Sequence, residues 1–460
     1  MTDLKVNENE TVSELVERAR LAQEKFQFAT QEQVDRLVRS ICKAVYDQAE
    51  HLAEMAVDET HLGNVEDKTS KNRTKALLIW DSLKDKKTVG IIREDVEGIV
   101  ELAKPVGVVA GICPTTNAIV TPFANAAFAL KTRNAIIFSP HPSAKKCALY
   151  CTNLFRKIIL EHGADPDLVL TITAPSLDKT DELMSRCDVV VATGGMGMVK
   201  AAYSSGRPAF GVGAGNVQCI VDRDIDYEQA VKKIVAGRIF DNGIICSGEQ
   251  MAIIPTEKKE EILHYMEVAH TYVASEEETQ RLRDVLFPQG KINKKAVGQN
   301  VHTIARMADL MIPEDTKMIA ACVTKSGKAD VLCKEKMFPV IGVITYHDLE
   351  EAITIAYDNL QNEGIGHSVV FHSQNDVHIQ QVALRLPVSR LIVNQSSSGA
   401  AGGSLYNHLT PTTTLGCGSW GNNSISDNFT YKYLMNITRI AYPLREPRRL
   451  EDRLDEQEAV

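Results

Sequence analysis

Asp188-Val189-Val190-Val191-Ala192-Thr193-Gly194-Gly195-Met196-Gly197-Met198-Val199-Lys200-Ala201-Ala202 is the stretch whose reading decides the fold. Val189–Ala192 are apolar at consecutive positions, as a strand covered on both faces requires, and the segment after the glycines has helical spacing. The same texture extends to either side. Short apolar runs at Val106–Ile112, Ala135–Phe138 and Leu168–Thr173 alternate with helical stretches at 118–131, 143–161, 176–186 and 196–205. This βαβαβαβα order predicts an α/β fold with a doubly wound, largely parallel sheet, whose ligands lie at the strand C-termini. A second series, with strands at 251–254 and 390–394 and helices near 257–270 and 348–360, predicts a second α/β lobe. It is followed by a loop-rich Gly/Ser/Thr stretch from Ser396 to Ser426.

The first hundred residues read as helices. Thr11 with Glu14, and Thr30 with Gln33, stand at capping-box spacing before apolar residues that recur every three or four positions: Val12, Leu15, Val16, Ala19 and Ala22, then Val34, Leu37, Val38, Ile41 and Val45. A further helical stretch passes through Leu52, Met55 and Ala56. The charged end from Arg445 to Val460 reads as a solvated tail.

Composition narrows the function. In 460 residues, Lys+Arg 51 against Asp+Glu 60 leaves a net charge of −9, which gives no electrostatic reason to bind a phosphate backbone, so no nucleic acid partner is expected. A hydrophobic content of 44% with 24% charged residues fits a packed globular chain. The ten cysteines include no C-x-x-C pair, and Cys147 with Cys151 have no His/Cys companions at zinc spacing. Reduced thiols in a cytoplasmic protein are expected, with no metal. Met1–Glu10 is polar, and no stretch approaches the roughly 18 uncharged apolar residues of a membrane helix.

Three segments carry candidate chemistry. Thr193-Gly194-Gly195-Met196-Gly197 follows a strand and opens a helix, which places free backbone N–H groups where a dinucleotide phosphate can sit; a plain strand-to-helix turn has the same sequence. The third glycine position holds Lys200, and no acidic residue stands about 20 positions on. Ser139-Pro140-His141-Pro142 ends another strand as a rigid ledge with no carboxylate for a ribose 2′-hydroxyl, so NAD and NADP both stay open. Cys246 lies in a glycine-flanked segment, Phe240-Asp241-Asn242-Gly243-Ile244-Ile245-Cys246-Ser247-Gly248. A free thiol of pKa about 8.5 is only slightly ionised at neutral pH, so a nucleophilic role predicts local stabilisation of the anion by a helix N-terminus or backbone N–H groups.

Pro114-Thr115-Thr116-Asn117, Phe138-Ser139-Pro140-His141-Pro142, the glycine turn continued through Met198-Val199-Lys200-Ala201-Ala202-Tyr203, Gly211-Val212-Gly213-Ala214-Gly215-Asn216, the Cys246 segment, and Leu415-Gly416-Cys417-Gly418-Ser419-Trp420-Gly421 appear in this order. Together they resemble the CoA-acylating aldehyde dehydrogenases over about Val12 to Ile440. Trp80, Val331-Leu332-Cys333-Lys334-Glu335-Lys336-Met337 and Pro411-Thr412-Thr413-Thr414 draw the likeness closest to the CoA-acylating succinate semialdehyde dehydrogenases.

The resemblance implies a cofactor-binding domain over 1–240, with 97–106 contributing to oligomerisation. It further implies a catalytic domain over 241–425 and a C-terminal return and oligomerisation segment over 426–460. Cys246 would attack the aldehyde, Asn117 would donate to the oxyanion, and the thioester would pass to CoA. Ser139, Pro140, His141, Thr193, Gly194, Gly195 and Gly197 would bind NAD or NADP, and Glu335 would hold the nicotinamide ribose. Hydrolytic relatives carry a water-activating glutamate where Gly211 stands, so acyl transfer to CoA is expected over acid release. His367, read as a loop histidine of pKa about 6.5, is the candidate acceptor for the CoA proton. Succinate semialdehyde is the first substrate expected, then acetaldehyde or another small aldehyde. Ser396-Ser397-Ser398 offers hydroxyls to a carboxylate. A homodimer or larger homo-oligomer is expected through Ile99–Val106 and Asn436–Pro443.

Overall fold

The computed structural model describes residues 10–94 and 98–444. The expected tail at 445–460, nearly all of the polar stretch 1–10, and residue 97 lie outside them.

Four helices open the described chain: α1 (Val12–Phe26), α2 (Gln31–Asp47), α3 (Ala49–Thr60) and α4 (Val65–Leu83). Both capping boxes form. Thr11 N–H donates to Glu14 Oε2 at 2.8 Å and Thr30 N–H to Gln33 Oε1 at 2.8 Å, while each threonine hydroxyl accepts from the N–H three residues on. Strands β1 (Gly90–Glu94) and β2 (Ile99–Pro105) then form an antiparallel pair.

The alternating segment follows as β3 (Val108–Cys113), α5 (Val120–Lys131), β4 (Ala135–Pro140), α6 (Lys145–Glu161), β5 (Val169–Thr171), α7 (Leu177–Arg186), β6 (Val189–Thr193), α8 (Met196–Tyr203) and β7 (Ala209–Val212). These strands make one parallel sheet in the order β5-β4-β3-β6-β7, and every residue of β3, β4 and β6 is buried, which explains their uninterrupted apolar runs. The chain runs from β3 to one side and returns to β6 on the other. The crevice beyond the carboxyl ends of β3 and β6 is therefore the switch point of the sheet.

The second lobe contains β8 (Val217–Val221), α9 (Tyr227–Ile239), β9 (Glu249–Pro255), α10 (Lys259–Val268), β10 (Thr271–Ala274), α11 (Glu276–Leu286), α12 (Val301–Met307), β11 (Met318–Cys322), β12 (Val340–Tyr346), α13 (Leu349–Asn362), β13 (Gly366–His372), α14 (Asp376–Arg385), β14 (Val388–Val393) and α15 (Ser397–Ala400). Its parallel sheet has the order β10-β11-β12-β9-β8-β13-β14.

This corrects the boundary expected at 240. The chain changes sheets between Val212 and Val217, because β8 pairs with β9 and β13. Asn216 pins the crossing: its Nδ2 donates to the carbonyls of Cys333, Asn359 and Glu363 at 2.8, 3.2 and 3.1 Å.

After the glycine-rich loop, Phe429, Tyr431 and Leu434 return to the core of the first lobe. β15 (Met435–Ala441) then pairs antiparallel with β2, Ile437 opposite Ala103, giving the sheet β1-β2-β15. The two segments expected at an oligomer interface are thus partners of each other within the chain. No helix among the described residues is long and apolar enough to cross a membrane.

Candidate active site

Cys246 lies between α9 and β9 in a segment whose shape is set from outside. Asp241, Asn242 and Gly243 have φ of 53°, 54° and 74°, a left-handed run that short polar residues and glycine tolerate. Asp241 carries the anchor. Its fully buried carboxylate accepts from Lys71 Nζ at 2.7 Å, Lys68 Nζ at 2.9 Å and Asn64 N–H at 3.1 Å, while its own N–H donates to Asp67 at 2.8 Å. Burial alone pushes this carboxyl up, but Lys71 and Lys68 together bring it below the usual carboxylate range. Asn242 adds bonds to the carbonyls of Gly63 and Gly298 at 3.1 and 3.0 Å. A Cβ at Gly63 would fall 1.8 Å from Asp241 Oδ1, so α4 can approach only through a glycine. The N-terminal helices thereby fix the segment five residues ahead of the nucleophile.

Gly215 closes the other side, where a Cβ would fall 2.0 Å from the carbonyl oxygen of Cys246. The glycines of 211–216 thus include one that makes room for the nucleophile's backbone. Beneath, buried Arg238 donates to the carbonyls of Glu249, at 3.0 Å, and of Gly243. Burial draws this guanidinium down to about 10, against the opposing pull of Glu249.

The expectation of a stabilised thiolate is overturned. Burial, and then Glu335 and Cys417, push the half-buried Cys246 thiol up to about 12 against the opposing charge of Arg390. Without cofactor the sulfur is therefore a thiol at neutral pH. Alkylation of Cys246 by iodoacetamide, followed by peptide mass spectrometry, is expected to accelerate about tenfold per pH unit from 7 to 9. A rate already level at pH 8 would show an ionised sulfur and reverse this reading.

Asn117 stands in the turn between β3 and α5. Its main-chain carbonyl accepts from Thr121 N–H at 3.3 Å, the helix-opening role its position suggests. Its side chain does something else: Oδ1 accepts from Lys71 Nζ at 2.9 Å. An ammonium only donates, so this bond assigns the amide and leaves Nδ2–H₂ free to donate. The chain Asn117–Lys71–Asp241 connects the expected oxyanion donor to the Cys246 segment.

Arg390, on β14, joins the remaining groups. It donates to the carbonyls of His367 at 2.9 Å and Gly416 at 2.7 Å and to Asn428 Oδ1 at 3.1 Å, and its charge bears on both Cys246 and Cys417. His367 is the second residue of β13, fully buried, with Nδ1 at 2.9 Å from Ser368 Oγ and Nε2 without a protein partner. Burial and then Arg390 push its pKa down to about 3, so the loop histidine of ordinary basicity is corrected to a neutral imidazole. Cys417 is buried, its backbone packed against Gly366 and its side chain against Gly421.

Glu335 is half-buried and accepts from Gly215 N–H at 3.0 Å, which puts it beside the Cys246 wall. Burial and neighbouring Glu363 raise it to about 8. A carboxyl does stand near the sulfur, and at neutral pH it is largely protonated. That state makes it a weak base for water.

Of the expected cofactor residues, Thr193–Gly197 follow β6 at the sheet's switch point, while Ser139–His141 end β4 on the far side of β3. Gly195 caps the N-terminus of α8 with no side-chain cap, and a Cβ at Gly195 or Gly197 would meet nothing within 4 Å. That open turn, with α8's first N–H groups exposed above it, fits a dinucleotide phosphate. Gly194 lies against Met198, and Thr193 Oγ1 is 2.8 Å from Thr414 Oγ1, tying the turn to the late loop. Pro140 ends β4 and His141 is exposed on the ledge. Ser139 departs from expectation: it is buried, and its hydroxyl pairs with Thr180 at 2.7 Å rather than facing the crevice.

Lys68, Lys71, Asp241 and Arg390 were not assigned roles from sequence. Lys68 continues the stripe of Asn72, Ala76, Ile79 and Leu83, which is the signal that could have placed it inside.

Comparisons with known proteins identify the family. Residues 1–406 match the model of the aldehyde dehydrogenase family. The chain is 49% identical to the succinate-semialdehyde dehydrogenase (acetylating) of Clostridium kluyveri, over 94% of this chain and 96% of that protein. An acetylating aldehyde dehydrogenase from Geobacillus thermoglucosidasius superposes with a TM-score of 0.92 at 40% identity, over 95% of this chain and 97% of that one. A propionaldehyde dehydrogenase from Rhodopseudomonas palustris, whose structure holds CoA and an acylated cysteine, gives 0.85 at 26% identity, over 95% and 98%. With a cysteine set between two parallel-sheet lobes and an open glycine turn at the switch point, the chain belongs to the aldehyde dehydrogenase family, among its CoA-acylating members.

Proposed function

We propose that the protein interconverts succinate semialdehyde, CoA and NAD(P)+ with succinyl-CoA and NAD(P)H through a thioester on Cys246. The observation that carries the acyl-transfer reading is Gly211. A Cβ there would meet Val199 Cγ1 at 2.9 Å and Tyr203 Cε2 at 3.2 Å, and the Tyr203 hydroxyl accepts from Gly211 N–H at 2.9 Å. A side chain at this position, where hydrolytic relatives are expected to carry their glutamate, would have to displace Val199 or Tyr203.

Cys246 Sγ adds to the aldehyde carbon as its proton leaves to solvent, while Asn117 Nδ2–H₂ donates to the developing oxyanion. A nicotinamide held from the Thr193–Gly197 turn would supply the hydride acceptor. The resulting thioester, with no strong base directed at water, persists until the CoA sulfur, having lost its proton, attacks the acyl carbon and expels Cys246 Sγ, which takes up a proton again. His367 Nε2, unpartnered and neutral, serves as a hydrogen-bond acceptor for the incoming thiol. Thr193–Gly197 and His141 would hold the dinucleotide, and Glu335 would hold its ribose. The 49% identity to the Clostridium kluyveri protein supports the four-carbon substrate.

Two measurements test the reading. With CoA omitted, succinate semialdehyde and NAD(P)+ are expected to give one burst of about one NAD(P)H per active site and then stop; sustained succinate release would mean that Glu335 or another group activates water. With each of NADH and NADPH, succinyl-CoA is expected to be reduced with a higher kcat/KM than acetyl-CoA. Equal values would remove the substrate assignment and leave the reaction class.

A further inference from the structure

The second sheet has a switch point of its own, at the end away from Cys246. The helix after β9, α10, packs Ile262 and Met266 on the face that carries Ala252 and Ile254. The helix after β12, α13, packs Ala352 and Ala356 on the face of Met251 and Ile253. β9 and β12 are neighbours, with Thr345 opposite Ile254, so the chain leaves their carboxyl ends toward opposite faces. Open parallel sheets take ligands where the chain parts in this way. Cys246 precedes β9, whose residues Glu249–Pro255 extend about 20 Å, so the catalytic centre lies at the other end of the strand.

A cavity of about 570 Å³ lies beside that parting, between α10 and α13 and over the ends of β11 and β12. Its floor is aliphatic, made by Val323, Val343, Ile344 and Ile355. The loop after β11 forms its mouth. Val323 N–H makes the last rung to β12, on the Val343 carbonyl at 2.8 Å, and the N–H groups of Thr324, Lys325 and Ser326 have no acceptor among the described residues. The loop is then pinned to α13: Ser326 Oγ donates to Asp358 Oδ2 at 3.1 Å and Gly327 N–H to Asn359 Oδ1 at 2.7 Å. The mouth is therefore preformed.

Its charges point to an anion. Lys259, at the start of α10, and Lys325, in the loop, both line the cavity, and neither ammonium has a hydrogen bond or ion pair among the described residues. The charge of Lys259 reaches Cys322 on the cavity wall: burial pushes that thiol up, the ammonium opposes burial, and Glu260 adds to it. Glu351, on the rim, already accepts from His347 N–H at 2.6 Å. Two free lysines match the two charges of a phosphate monoester better than the single charge of a carboxylate. The hydroxyls of Thr324 and Thr345, unbonded among the described residues, suit a sugar, and the aliphatic floor suits a flat ring.

We propose that this cavity is a second ligand site, which binds a nucleoside phosphate through Lys259 and Lys325, apart from the catalytic centre and from the dinucleotide turn at Gly195.

Cys322 is the reporter. Of the ten cysteines only Cys246 and Cys322 are not buried, so Cys246→Ala leaves one accessible thiol, on the wall of the cavity. Alkylation of Cys322 by iodoacetamide at about pH 8.5 is followed by peptide mass spectrometry in the full chain carrying Cys246→Ala. Adenosine 5′-monophosphate is expected to slow it about fivefold or more, at concentrations about tenfold below those at which adenosine or inorganic phosphate protects. Adding Lys259→Met or Lys325→Met is expected to raise the half-protecting concentration about tenfold in each case. With Cys246 intact, the same two substitutions are expected to leave turnover of succinyl-CoA unchanged. No protection by the nucleotide at about 10 mM, equal protection by adenosine or by phosphate, or protection indifferent to either lysine would overturn the proposal. A loss of turnover in the lysine variants would overturn it as well, by placing those lysines in the catalytic machinery.

Discussion

Cys246→Ala is expected to lower kcat by about 10⁴-fold or more while leaving the dissociation constant for NAD(P)H within about twofold. The size follows from the absence of a substitute. Covalent capture splits the reaction into hydride departure from a tetrahedral adduct and acyl transfer from a thioester, and without sulfur neither step has its intermediate. Cys417 is the nearest rival thiol, yet it is buried, its Sγ donates to the Leu415 carbonyl at 3.4 Å, and burial pushes it up to about 11. It lacks the exposure to replace Cys246, which is only half-buried. Cofactor affinity is expected to persist because Thr193–Gly197 belong to the other sheet, and the nucleophile segment keeps its anchors through Asp241, Asn242 and Gly215. The check is intact-mass spectrometry after incubation with succinyl-CoA: an acyl adduct on the wild type and none on the variant. Residual turnover above about 1%, or an adduct surviving on the variant, would move the nucleophile elsewhere.

The first lobe was legible in sequence because its strands are buried on both faces and its helices carry their own stop and start signals. Thr11 and Thr30 announce α1 and α2, and Val189–Ala192 can only be an interior strand. The sheet to which Val217–Val221 belongs was not legible. That run is as apolar as its predecessors, and only its pairing with Met251, Ala252 and Val370 places it in the second lobe. The glycines at 213 and 215 were visible, but a glycine's reason lies in what approaches it. For Gly213 that is Met196, and for Gly215 it is the Cys246 backbone.

Charged residues of the site were harder still. Lys68, Lys71 and Lys75 on a polar helix look like a solvated face, and nothing local reveals that Asp241, some 170 residues on, lies under two of them. Arg390 left a faint trace: it alternates with Ile392 on the inward side of β14. The thiol pKa could not be foreseen, because burial by distant segments sets it.

Asn117→Ala is expected to reduce kcat by about 10²–10³-fold with little change in KM for the acyl donor. An oxyanion donor acts on charge that exists in the tetrahedral adduct and not in the bound carbonyl, so its loss falls on kcat. The structure adds a condition on how that donor works. An asparagine amide presents a donor or an acceptor with nearly equal shape, and an oxyanion hole needs the donor. Lys71 makes the choice, since its ammonium takes Oδ1 at 2.9 Å and is itself held by Asp241 at 2.7 Å. Lys71→Met is therefore expected to lower kcat by about tenfold, less than removal of Asn117, because an unheld amide still presents Nδ2 part of the time. Asn117→Asp is expected to be worse than Asn117→Ala: the carboxylate pairs with Lys71 and turns its second oxygen toward the forming oxyanion, replacing attraction with repulsion. Pre-steady-state measurement of the NAD(P)H burst in the three variants separates these effects. The order Asp slowest, then Ala, then Lys71→Met is the signature of a donor oriented by a lysine. Equal burst rates for Asn117→Ala and Asn117→Asp would mean that the amide never faces the oxyanion.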